Sequence, residues 1–156
     1  IAMALACEPR LVIADEPTTA LDVVVQDQIL HEIKTIQQQM NISLIFISHD
    51  IAVVADVCHD IAVMFAGQIV ESGSREEVFE TPIHPYTRLL LSSYLTLDGD
   101  RPEPLAFSGR SPNLINAPAG CRFYDQCPQA SSTCENSAPE YRQISPTHRA
   151  LCSVVP

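Results

Sequence analysis

Three sets of residues in this chain have types and spacings suited to chemistry. Asp15 and Glu16 end an apolar run, Leu11-Val12-Ile13-Ala14, and Pro17 follows at once. Proline removes a ladder donor, so a strand predicted over 11–15 stops there and delivers two adjacent carboxylates to its C-terminal end. Unpaired charge beside buried strand is expensive, which points to a cation or a reacting water, the bland alternative being a solvated strand end. His49 closes a second apolar run, Ser43–Ile47, within Ser48-His49-Asp50. A neutral imidazole there can donate to an anion, the bland alternative being a satisfied loop residue. The third set is Cys121, Cys127, Cys134 and Cys152, separated by five, six and seventeen residues.

The elements that must position these groups follow from pattern. Asp22 caps a helix predicted through about Gln39, with Ile29, Leu30, Ile33 and Ile36 on one face. Asp50 opens a shorter helix through Val57. Apolar strands alternating with helices indicate an α/β fold with a mostly parallel sheet, its strands buried on both faces. Asp60–Ala66 and Gln68–Ser72 read as a hairpin turning at Gly67. Ser74-x-x-Glu77 is a capping box, and His84-Pro85-Tyr86-Thr87 leads a helix through Leu91. Prolines 102, 104, 112 and 118 break residues 98–120 into loop. The Cys-rich tail reads as irregular.

Composition shifts near Thr81-Pro82. Residues 1–81 carry 13 acids and 3 bases, residues 82–156 six of each, and 10 of the 12 prolines lie in the second part. An acidic excess argues against a nucleic-acid surface, which needs Lys/Arg stripes. No apolar stretch approaches the roughly 18–20 residues that span a bilayer. Ile1–Ala6 has neither the basic start nor the cleavage site of a secretory leader, so the six cysteines suggest a reducing compartment. Cys7 and Cys58 read as inert core thiols, and His31, His59 and His84 as ordinary surface.

The run Leu11–Ala20 with Leu21-Asp22 resembles the Walker B segment and following loop of ATP-binding-cassette (ABC) ATPases. Ser48-His49-Asp50 is similar to their switch-histidine loop, and Ile1–Leu5 to the helix after their signature. The resemblance implies that Asp15 binds Mg²⁺ through water, Glu16 activates the attacking water, His49 reaches the γ-phosphate of ATP, and Asp22 acts across an ATPase dimer. The fold implied is the C-terminal half of a P-loop NTPase domain. A phosphate loop and a signature motif do not occur in the chain, so the expectation is a C-terminal part that binds ATP weakly or not at all by itself.

Four thiols in a short proline-rich segment fit structural zinc, with His148 able to replace one thiolate, an iron–sulfur cluster, or disulfides. Gly120-Cys121-Arg122-Phe123, Cys127-Pro128-Gln129-Ala130, Cys134, Pro139 and His148-x-x-x-Cys152 resemble the C-terminal extension of oligopeptide and dipeptide importer ATPases. His84-Pro85-Tyr86-Thr87-x-Leu89-Leu90 is similar to that subgroup too. In some of its members four such cysteines hold a [4Fe–4S] cluster, which makes Cys121, Cys127, Cys134 and Cys152 the implied ligands. The chain departs from the subgroup in having Asp125-Gln126 where Pro-Arg is common, which alters local charge but not the ligand set.

The resemblance implies ATP hydrolysis energising peptide uptake, with residues 1–81 as nucleotide-binding portion and 82–156 as extension. It also implies a second ATPase subunit, transmembrane permeases, an extracytoplasmic solute-binding protein, and a peripheral place on the cytoplasmic face of the inner membrane. A soluble cassette ATPase and a metal-binding module with a vestigial ATPase half are the alternatives.

Overall fold

The computed structural model of the chain describes residues 2–92, 115 and 118–154, and these form two compact units, 1–58 and 59–156. The loop expected over 98–120 lies largely outside the described residues. The compositional shift at 81/82 falls inside the second unit.

In the first unit, α1 (Ala2–Leu5) precedes β1 (Leu11–Asp15), α2 (Val23–Met40), β2 (Ser43–Ile47) and α3 (Ile51–Val57). α2 and α3 each start where the sequence supplies a cap. The Asp22 carboxylate accepts from the Val25 amide at 3.0 Å, and Asp50 accepts from the amides of Ala52 and Val53. Such caps satisfy amide donors that the first helical turn leaves without partners. At its other end α2 closes on Asn41 in the left-handed region (φ 49°), a conformation Asn tolerates better than most residues. β1 and β2 pair in parallel, Leu11 opposite Ser43 and Asp15 opposite Ile47, so both strands finish together.

One face of this pair is packed: Val12, Ala14 and Leu44 share an apolar cavity of about 290 Å³ with Ile33 and Ile36 of α2. The other face is bare, with Leu11, Ile13, Ile45 and Ile47 between 46% and 61% exposed. The expectation of strands buried on both sides is therefore not met within this unit, because α2 supplies cover from one side alone. Cys7 corrects another expectation: it is exposed after α1, while Cys58 is half-buried where α3 ends.

In the second unit, β3 (Asp60–Phe65) and β4 (Gln68–Ser74) form the hairpin. Ala66 (φ 50°) and Gly67 (φ 78°) make a two-residue turn whose twist matches the strands. The Arg122 guanidinium donates to the Ala66 carbonyl. The ladder slips between Val63 and Met64: Val63 faces Glu71 and Met64 faces Ile69, so Val70 is an extra residue on β4. At this bulge the consecutive residues Val70 and Glu71 are both buried.

α4 (Arg75–Glu80) starts at the capping box, Ser74 and Glu77 each bonding the other's backbone amide. α5 (Pro85–Ser92), a 3₁₀ turn (Tyr124–Gln126), α6 (Ser132–Asn136), β5 (Tyr141–Gln143) and β6 (Arg149–Leu151) follow. β6 pairs with β4 and β5 with β6, both antiparallel, giving a four-stranded sheet in the order β3-β4-β6-β5. The end of the tail thus joins a sheet, while Cys121, Cys127 and Cys152 lie outside helices and strands. The mostly parallel sheet expected from sequence is limited, among the described residues, to β1 and β2; the tight turn at Ala66-Gly67 joins β3 and β4 antiparallel, and β6 and β5 extend that sheet in the same sense.

Candidate functional site

β1 and β2 end side by side, and that alone brings Glu16 to His49. The Glu16 amide extends the ladder to the Ile47 carbonyl at 2.9 Å, and its backbone then turns into the left-handed region (φ 47°). The His49 Nδ1 lies 2.7 Å from Glu16 Oε1, and the Thr19 hydroxyl donates to Oε2 at 3.1 Å. The hydrogen bond to His49 is the main reason the Glu16 carboxyl sits below its ordinary range of 4.5. The same bond raises the His49 imidazole above 6.5. An ionised acid and a histidine inclined to carry a proton therefore face one another in the open. Asp15 is exposed at the end of β1, and Asp22 is exposed while capping α2. The structure brings Glu16 and His49 together and leaves the Asp22 carboxylate engaged with its own helix.

The cysteines are positioned by an aromatic plug. Phe123, buried to 1% exposure, meets Phe65 edge-on at 5.2 Å and Tyr86 edge-on at 5.5 Å, with His84 at 5.9 Å. This fixes the segment that carries Cys121. The Cys121 amide donates to the Cys134 carbonyl at 2.7 Å, joining that segment to α6. Gly120 allows the approach, since a Cβ there would lie 2.1 Å from the Cys134 carbonyl oxygen. Cys152 follows β6 directly.

All four thiols are free. Burial pushes Cys121 and Cys127 above the ordinary thiol range, and charge on the neighbouring cysteines, Cys134 and Cys152 among them, pushes the same way. The four are thus close enough to feel one another. Among the described residues, however, no three His, Cys, Asp or Glu side chains are arranged to hold a metal ion.

Two histidines depart from the sequence reading. His84 is buried at 1% exposure rather than on the surface. Its Nδ1 accepts from the Tyr86 amide at 3.1 Å, and burial lowers the imidazole to about 4. His148 is not available as a thiolate substitute, since its Nε2 lies 2.7 Å from Glu71 Oε1 and both side chains are buried. Glu71 was invisible to pattern: strand alternation gives no hint that a bulge turns it inward.

Residues 70–134 match the family described as the C-terminal region of oligopeptide/dipeptide transporters. The chain is 45% identical over 152 residues to the oligopeptide transport ATP-binding protein OppD of Salmonella typhimurium, covering 97% of this chain and 45% of that protein. Against the dipeptide transport ATP-binding protein DppD of Bacillus subtilis it is again 45% identical, with the same coverage. DppD of Lactococcus lactis is 46% identical over 150 residues, 96% of this chain and 43% of that protein. The fold and these matches define the class as ABC-type ATP-binding subunits. Within that class the chain belongs to the oligopeptide/dipeptide transporter family, as a C-terminal part of such a subunit. It spans about half the length of the curated relatives it matches.

Proposed function

We propose that the complete protein hydrolyses ATP to drive uptake of dipeptides or oligopeptides through membrane permeases. Residues 1–81 serve the nucleotide and residues 82–156 form the extension. The observation that carries the reading is the Glu16–His49 contact at 2.7 Å, formed where two parallel strands end. Phosphoryl transfer depends mainly on positioning and charge neutralisation. Glu16, ionised by its partner, orients the attacking water and takes its proton. Asp15, exposed beside it, suits a hydrated Mg²⁺ by position and donor type. When bound, that ion neutralises charge on the phosphates.

His49 is exposed and able to turn its proton toward the γ-phosphate, which gives the imidazole a second anionic partner and frees a Glu16 oxygen for water. Asp22 caps α2 and acts across the dimer of ATPases. A second ATPase subunit, permeases and an extracytoplasmic binding protein complete the assembly, with the ATPase peripheral on the cytoplasmic face of the inner membrane. The four cysteines fit a [4Fe–4S] cluster by number and donor type, with zinc as the alternative.

The names of the relatives support transport of peptides, and the match over 70–134 to a transporter region argues against a soluble cassette ATPase or a free-standing metal module. Glu16→Gln in the complete protein tests the reading. ATP turnover is expected to fall about 10²–10⁴-fold, the contribution of a general base, with nucleotide binding retained. Unchanged turnover would overturn it.

A further inference from the structure

Glu71 has no solvent exposure, yet it holds three donors from two other segments. Its Oε1 accepts from the Ile83 amide at 2.8 Å and from His148 Nε2 at 2.7 Å, and its Oε2 accepts from the His84 amide at 2.8 Å. The bulge at Val70 is what admits the carboxylate to this interior position. A buried carboxylate is tolerated only when its lone pairs are used, and here they are.

His148 is itself fixed from several sides. Its amide donates to the Ser145 hydroxyl at 3.0 Å, and its carbonyl accepts from the amides of Ile144 and Ser145. Ser145 and Thr147 donate to the carboxylate of Glu77, which lies lowered to about 2 chiefly by the Ser145 bond. The ring packs on Gly73 so closely that a Cβ there would stand 3.0 Å from His148 Cδ2. Directly after His148 come Arg149–Leu151 of β6, where Ala150 pairs with Glu71, and then buried Cys152. None of these contacts uses a cysteine sulfur.

We infer that Glu71 and His148 are positioning residues for the thiol site: they seat β6, and with it Cys152, against the hairpin before any metal is bound. The inference takes the four-cysteine metal reading for the identity of the site; the seating itself does not depend on it. The segment is thereby latched by a buried imidazole–carboxylate bond, and the thiols wait in a folded frame. This differs from the small metal domains that are unfolded until loaded.

The test uses reduced, chelator-stripped protein and follows alkylation of each cysteine by iodoacetamide together with hydrogen exchange at residues 150–152. Unmodified protein is expected to alkylate Cys152 at least about tenfold slower than exposed Cys7. His148→Ala is expected to raise Cys152 labelling and exchange by about 10–100-fold, the range for loss of one charge-assisted bond. His148→Gln, which keeps an N–H able to reach Glu71, should restore most of the protection, whereas general unfolding would not respond to that exchange. Combining His148→Ala with Glu71→Ala should add little beyond Glu71→Ala. Cys152 labelling as fast as Cys7 in stripped protein overturns the inference, and so does His148→Ala labelling at the unmodified rate. Iron, sulfide and zinc analysis of unstripped protein is read separately: absence of all three overturns the metal reading and leaves the labelling rates to decide the latch.

Discussion

Glu16 and Glu71 each face a histidine across 2.7 Å, yet Glu16 stands 35% exposed against an 81% exposed His49, while Glu71 and His148 are 0% and 3% exposed. In water-rich surroundings an ion pair exchanges partners readily and contributes little to folding. In the interior the same pair is locked, because parting would strand a carboxylate and a ring nitrogen in a dry place. Exposure thus separates a pair that can change partners from one that can serve only the architecture. Residues 1–58 keep their chemistry at open strand ends, and residues 59–156 spend theirs on holding a tail.

The largest expected effect tests the architectural side. Phe123→Ala empties the centre of the aromatic plug and should lower the stability of the second unit by about 3–5 kcal/mol. All four tyrosines, at 86, 94, 124 and 141, fall within residues 59–156, so tyrosine fluorescence during urea unfolding reads this unit selectively. A loss below about 1 kcal/mol would mean the plug does not hold the cysteine segment.

A smaller effect concerns protons. His84 titrates near 4 in the folded chain against an ordinary 6.5, because burial favours the neutral ring. The folded state then binds fewer protons than the unfolded one, so stability present above pH 6.5 is lost as pH falls through that window toward 4. Glu77, lowered from 4.5 to about 2, gives up its share mainly as pH falls from about 4.5 toward 2, beneath the range measured. The midpoint urea concentration should therefore drop between pH 7 and 4.5, and His84→Asn should flatten that drop.

The smallest effect belongs to the open pair. Glu16→Gln should leave the unfolding midpoint of the chain unchanged while the His49 imidazole, followed by proton NMR, moves back down toward 6.5. In the unaltered chain the bond is present below pH 6.5 and is lost as pH rises through the raised His49 value. A large loss of stability on this substitution would erase the contrast between the two units.

Local rules made much of this chain legible. Asp22, Asp50 and the Ser74/Glu77 box lie beside the amides they bond, so sequence shows the starts of α2, α3 and α4 directly. Strand and hairpin limits followed for the same reason, whereas the contact of Glu16 with His49 emerges only when β1 and β2 pair in parallel. What escaped was decided at long range. Tyr141–Gln143 and Arg149–Leu151 become strands because β4 offers an edge some seventy residues upstream, and no short window contains that information. Glu71 turns inward through a one-residue slip in the ladder, and His84 is buried because Phe123 covers it. Cys7 misled in the other direction, since apolar neighbours in sequence do not guarantee cover in space.

The bare side of β1 and β2 governs how this chain behaves in a tube. Four large aliphatic side chains, Leu11, Ile13, Ile45 and Ile47, stand exposed on a short two-stranded ribbon. Ribbons of this kind stick to each other, so solubility becomes a question of concentration, and dilute solutions favour single molecules over clumps.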